Sequence, residues 1–160
     1  LRSYYLQYGI NYNSVRIAHS YGPGMKLASD GRIMADLMNN VVNGEDIVLK
    51  SDGTAERAFI YIADAVTAMF AVLFSGENGK AYNIANETEP IAIRDLAALM
   101  STFRKDTQLN VVFDIPKTIS SAYTNYKRSG LDTSAIERLS WKPVVKLEEE
   151  VNRTIKSFLL

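Results

Sequence analysis

Apolar and polar positions change their period repeatedly along this chain. The run 14–19 (SVRIAH) is short and mostly apolar, the pattern of a strand, whereas 33–42 (IMADLMNNVV) spaces its apolar residues as one face of a helix and stops at Gly44. A second strand is predicted over 46–50 (DIVLK), and after the turn SDGTAE a third over 57–62 (RAFIYI). Asp64 stands in N-cap position before the apolar helix 65–74 (AVTAMFAVLF), which the turn SGENG ends. Then come a strand at 81–85 (AYNIA), an amphipathic helix at 93–105 (IRDLAALMSTFRK) and a strand at 110–115 (NVVFDI). A helix over 131–141 (LDTSAIERLSW), capped by Asp132 or Thr133, and one over 146–160 close the chain. Strands alternating with helices predict an α/β fold with parallel pairing. SVRIAH and AYNIA are apolar on nearly both faces, the pattern of strands in the middle of a parallel sheet.

Between the strand at 14–19 and the helix at 33–42 lies YGPGMKLASDGR, about a dozen residues where a plain connection needs few. Loops of that kind carry function more often than their neighbours do.

Composition narrows the choices. At 160 residues, 47% of them hydrophobic, one well-buried core is expected. Eighteen basic residues balance eighteen acidic ones, so the expectation is no nucleic-acid footprint and no anionic membrane surface. With no cysteine there is no disulfide framework and no thiolate chemistry, and a single histidine argues against a His-built metal site. No signal peptide or membrane-length apolar run is present, and a cytoplasmic setting is expected. The first residue is Leu1, not Met, and the chain reads as though it starts inside a longer protein.

Two segments combine a glycine turn with an arginine at the end of an element, an arrangement suited to an anion. In SDGR, Gly31 and Arg32 stand at a predicted helix N-terminus; in SDGTAER, the turn at Asp52–Gly53 swings Arg57 back beside the preceding strand. Taken singly, Arg32 also reads as a solvated first-turn residue, and Arg57 as an ion-pair partner of Glu56 or Asp52.

Taken in order, RIAHSYGPG, the run 30–66, AYNIAN and LDTSAIERLSWKP resemble the C-terminal half of the extended short-chain dehydrogenase/reductase family, the NAD-dependent nucleotide-sugar epimerases, dehydratases and decarboxylases. The most specific piece is 55–64, with Arg57, an aromatic at Phe59, then Tyr61, Ile62 and Asp64; the YGPG loop comes next. UDP-glucuronate decarboxylases and dTDP-glucose 4,6-dehydratases are the branches it is most similar to. The resemblance implies the C-terminal part of a Rossmann-like NAD(P)-binding fold, with remnants at 13–20 and 64–85, plus a small α/β substrate-binding lobe from 31–60 and 90–160. It implies that Ile17 and Ala18 lie by the nicotinamide and that His19 contacts substrate where the family usually has Asn. It further implies that Gly31 and Arg32 meet the pyrophosphate, that Val48 to Lys50 run along the base, and that Arg57, with Arg128 as a further contact, binds phosphate. Tyr61 then packs and Asp64 caps. The YGPG loop, on this reading, leads the chain out of the Rossmann sheet into the sugar-nucleotide lobe.

The family's glycine-rich phosphate loop is absent, since no G-x-x-G-x-x-G occurs. YTNYK, 123–127, spells the family's catalytic Tyr-x-x-x-Lys but follows the RIAH strand by about a hundred residues, and is read as coincidence. By the resemblance, LRSYYLQYGINY is the tail of the catalytic helix. The expectation is therefore a nucleotide-diphosphate-sugar-binding half with no catalytic residue or metal ligand of its own. NAD belongs to the parent enzyme and does not bind this piece. Self-association through exposed strands is also expected. The competing reading is a non-catalytic family member that senses dinucleotide or binds a partner or RNA.

Overall fold

A computed structural model describes residues 1–28, 30–116 and 127–159. Its elements begin with α1 (Arg2–Tyr8), β1 (Ser14–Ile17), β2 (His19–Tyr21), α2 (Ile33–Asn43), β3 (Ile47–Leu49), β4 (Glu56–Arg57) and β5 (Phe59–Tyr61). They continue with α3 (Ile62–Ser75), β6 (Ala81–Ile84), β7 (Ile91–Ala92), α4 (Ile93–Ser101), β8 (Val111–Phe113), β9 (Arg128–Ser129), α5 (Ser134–Glu137) and α6 (Leu147–Leu159). The chain is α/β, as the alternation of periods predicts.

Helical spacing places Met34, Leu37, Met38 and Val41 on one face of α2, and Ile93, Leu96, Ala97 and Met100 on one face of α4; all are buried. These faces meet each other, α6 and the inward residues of β3, Ile47 and Leu49, in one apolar cluster. Met38 is fully enclosed there, and its truncation to Ala would cost about 2–5 kcal/mol. Arg104 ties α4 to the end of α2 by donating to the carbonyls of Val41 and Val42 at 3.2 and 2.7 Å, which satisfies acceptors the helix end leaves open.

A second apolar cluster joins Ala65, Ala68 and Val72 of α3 to Tyr82 and Ile84 of β6, with Ile136 of α5 and Trp141. The two clusters meet at β5. Its alternation sends Phe59 and Tyr61 into the first and Ile60 into the second, which is why all three residues of this strand are buried.

The strand predicted at 14–19 is interrupted at Ala18, whose N–H donates to Ile84 O at 2.8 Å. Before the break β1 pairs parallel with β6; after it β2 pairs parallel with β5, His19 opposite Phe59. The chain thus passes from one sheet to another within eight residues. β6 is well buried at Tyr82 and Ile84, but β1 has β6 alone as partner among the described residues and leaves Val15 and Ile17 more than a third exposed. The run RAFIYI is divided in the same way: β4 pairs with β7 and β9, and β5 with β2.

Gly22 follows β2 directly. A Cβ there would stand 2.3 Å from Ile62 Cγ2, so only glycine lets the exit of β2 pass this close to the start of α3. Asp64 corrects the sequence expectation. The residue before α3 is Tyr61, and Asp64 lies inside the first turn, buried, with Oδ2 accepting from the backbone N–H of Val144 and Val145 at 3.1 and 3.4 Å. It anchors a distant segment instead of capping its own helix. Tyr61 packs as expected, edge-on to Tyr21 with ring centroids 6.0 Å apart.

Candidate functional site

Past the carboxyl ends of β1 and β6, the first residues of β2 and the N-terminus of α2 come together, the kind of crevice in which open α/β sheets take ligands. His19 and Tyr21 share a face of β2. Tyr21 is buried, while His19 stays exposed at the rim with its ring 5.9 Å from that of Phe59.

Arg32 is the residue that precedes α2. Its guanidinium clasps the Asp30 carboxylate through Nε and Nη2, and Nη1 donates to Ser20 O at 3.0 Å. Gly31 stands between them at φ 77°, a left-handed turn that folds Arg32 back onto Asp30. The hydrogen bonds from Arg32 hold the Asp30 carboxyl below its ordinary range. Two of the five guanidinium N–H groups have no partner among the described residues. Arg32 is therefore exposed but engaged, a cation oriented by Asp30 and Ser20.

Arg57 is half-buried on β4 and donates Nη1 to its neighbour's carbonyl, Glu56 O, at 2.7 Å. It forms no ion pair with Glu56 or Asp52, and Asp52 instead accepts from the N–H and hydroxyl of Thr54. Partial burial, then Arg57, then Arg32 lower the His19 imidazole below its usual proton affinity, so both guanidiniums act on it. Arg32 thus meets β2 at Ser20, next to His19, and Arg57 stands two residues before Phe59, the residue that pairs with His19.

The other expected residues distribute differently. Ile17 ends β1 beside this crevice, exposed, and Ala18 is half-buried in the strand break. Val48 and Lys50 point outward, alternating with the buried Ile47 and Leu49. They line a cleft of about 420 Å³ with Ile33, Asp36, Asn40 and Ser51, and Ile33 joins that cleft to Arg32. Arg128 is exposed on β9. Parallel register sets it opposite Glu56 and sets Ser129 opposite Arg57, so the pleat sends Arg128 and Arg57 to opposite faces. Of YTNYK, residues 123–126 lie outside the described residues.

Several contacts here escape a reading of sequence alone. Glu87 receives Arg128 Nη2 at 3.3 Å and Leu131 N–H at 2.7 Å, orienting Arg128. Below His19 the Tyr21 hydroxyl donates to Glu150 Oε2 at 2.6 Å, and Glu150 Oε1 is buried without a partner among the described residues. Burial, with Asp64, Glu89 and Glu149 nearby, pushes the Glu150 carboxyl up to about 7 against the pull of the Tyr21 hydrogen bond. One signal for Glu150 was present: 147, 150, 151, 154 and 155 form the inward face of α6, and a Glu occupies one of those positions.

Among the described residues no cluster of three or more His, Cys, Asp or Glu could hold a metal ion, and no helix is long and apolar enough to cross a membrane. The family model described as NAD dependent epimerase/dehydratase family matches residues 1–85, more than half of the chain. The chain belongs to this family. UDP-glucuronic acid decarboxylase 6 of Arabidopsis thaliana is 27% identical over 146 residues, which cover 91% of this chain and 40% of that protein. The crystal structure of UDP-glucose 4-epimerase with UDP-glucose from Thermotoga maritima superposes with a TM-score of 0.80 at 23% identity, over 98% of this chain and 48% of that one. UDP-N-acetylglucosamine 4-epimerase from Methanobrevibacter ruminantium, in complex with UDP-N-acetylmuramic acid, gives 0.80 at 25%, over 99% and 49%. The chain spans less than half of these family members, and its likeness to them bears out the resemblance and the α/β, Rossmann-like fold expected from sequence.

Proposed function

We propose that these 160 residues are the nucleotide-sugar-binding half of an NAD-dependent nucleotide-sugar epimerase, dehydratase or decarboxylase. One observation supports the reading: Arg32 reaches the β2 carbonyl next to His19, Arg57 stands two residues before the β5 residue that pairs with His19, and Ile33, next to Arg32, lines the cleft of Val48 and Lys50. Arg57, free of any carboxylate among the described residues, is the principal diphosphate ligand. Arg32, oriented by Asp30 and Ser20 with Gly31 as its turn, supplies the second contact. Val48 and Lys50 flank the base. Arg128, on the face opposite Arg57 and paired with Glu87, is set apart from this diphosphate.

The residues present fit NAD only at its nicotinamide end. Ile17 and Ala18 offer an exposed apolar strand end there, while the glycine loop that would hold the pyrophosphate is not among the 160 residues. When bound, NAD supplies hydride removal and return. The part of this chain is to seat the diphosphate and hold the sugar against that strand end. Residues 13–20 and 64–85 belong on this reading to the NAD-binding half and 31–60 and 90–160 to the substrate lobe, in a cytoplasmic protein. These residues by themselves should show no NAD-dependent turnover on UDP- or dTDP-sugars.

Calorimetric titration of UDP-glucose and dTDP-glucose tests the assignment. A charge-assisted contact of this kind is worth ~1.5–3 kcal/mol, so Arg57→Ala should weaken binding roughly ten- to a hundredfold. Equal affinity in a folded Arg57→Ala variant would remove Arg57 from the site and the reading with it.

A further inference from the structure

We infer that His19 couples ligand binding at this site to proton uptake: its imidazole takes up a proton when a diphosphate seats beside Arg57 and Arg32. The inference rests on the diphosphate reading above and adds a regulatory property to it.

The geometry sets up the coupling. His19 begins β2, exposed, at the point where the Arg32 guanidinium reaches Ser20 O on the same strand. Arg57 stands two residues before Phe59, the β5 residue that pairs with His19, and Phe59 sets its uncharged ring 5.9 Å from the imidazole. The carboxylate near this group, Asp30, is engaged by Arg32 and is not available to balance the imidazolium. Among the described residues nothing hydrogen-bonds to either ring nitrogen, so both remain open to a ligand. In the empty site partial burial, then Arg57, then the Asp30-paired Arg32 lower the proton affinity of the imidazole. An anion between the guanidiniums reverses that field. It cancels both positive potentials, adds negative charge of its own and accepts an N–H from the ring, each of which favours the imidazolium. By linkage, whatever raises the proton affinity of His19 on binding must also tighten binding as pH falls. An Asn, the residue more usual at this position by the resemblance, hydrogen-bonds without this pH dependence.

UDP-glucose is the suitable probe, because its diphosphate is a diester with no titration between pH 5 and 8, so any proton exchanged comes from protein. His19 is the single histidine of the chain, and its imidazole resonances are therefore unambiguous. Glu150 also titrates near 7, which makes a His19 variant the necessary control. The experiment follows the imidazole by NMR across pH, with and without saturating UDP-glucose, alongside calorimetry at pH 5.5 and 8.0 in buffers of different ionisation heat. With ligand, the imidazole midpoint should move up by about one pH unit, and affinity should be roughly tenfold tighter at pH 5.5 than at 8.0, with net proton uptake. His19→Asn, shown folded by circular dichroism, should bind with nearly the same affinity at both pH values. UDP-glucose binding that depends on Arg57 but leaves the imidazole midpoint unmoved, or an equal pH dependence in His19→Asn, would overturn the coupling and leave the diphosphate reading standing. No heat and no resonance change at any pH would overturn both.

Discussion

Replacing Glu150 by Gln should stabilise the protein at neutral pH and remove a pH dependence expected of the wild type. The carboxyl is pushed from an ordinary 4.5 to about 7, chiefly by burial, with Asp64, Glu89 and Glu149 adding like charge and Tyr21 donating its hydrogen bond. A carboxyl with a raised folded value binds its proton more tightly folded than unfolded. Its stabilising contribution is complete below 4.5 and is lost as pH rises through 7. That interval, at about 1.4 kcal/mol per pH unit, amounts to about 3 kcal/mol, roughly three quarters of it lost between pH 5 and 8. The Gln carboxamide oxygen still accepts from Tyr21 and carries no charge to bury. Urea unfolding followed by circular dichroism at pH 5 and 8 measures both proteins. The wild type should lose about 2–3 kcal/mol more than Glu150→Gln over this range. Parallel losses, or a variant less stable than wild type at pH 8, would mean that the buried carboxylate is compensated by something other than the contacts described.

Gly22→Ala forces a Cβ onto Ile62 and should cost about 1–3 kcal/mol in urea unfolding; an unchanged midpoint would show that the loop after β2 is free to move away. Asp64→Ala strands the N–H groups of Val144 and Val145 and should cost about 1–3 kcal/mol, and Asp64→Ser, a good cap, should rescue nothing. Rescue by Ser would restore the capping role. A second copy of the chain should add to the open edge of β1, where Val15 and Ile17 are exposed near the outward Phe70, Leu73 and Phe74 of α3. Light scattering should then give a mass that rises with concentration, and a concentration-independent monomer would refute it.

Local signals were read correctly where the structure is local. The faces of α2, α4 and α6 follow from a 3.6-residue period, and the core takes up those same residues. Partner choice left no local trace. RAFIYI is one apolar run by spelling, yet Arg57 and Phe59 lie in different sheets because strands far away in sequence take hold on either side of Ala58. Asp64 has the local sequence of a cap, and its real partners are 80 and 81 residues away. The site divides along the same line. Arg32 and Arg57 were visible because a glycine turn beside each marks an end of an element, whereas Glu87, which orients Arg128, sits in a polar loop that resembles any other.

The interleaving of the two apolar clusters bears on how the chain acquires its structure. The first draws on residues from Tyr21 to Ile155 and the second on residues from Ile60 to Trp141, so neither belongs to a continuous piece of chain. The hydrogen bond from Tyr21 to Glu150 closes a loop of 129 residues. During synthesis β2 and α2 emerge long before α6, and their apolar faces must wait for it. Contacts so distant in sequence slow folding, because loop closure comes before the contacts that reward it. These apolar faces therefore stay open until α6 leaves the ribosome, and in that interval they are most exposed to proteases and most in need of a chaperone.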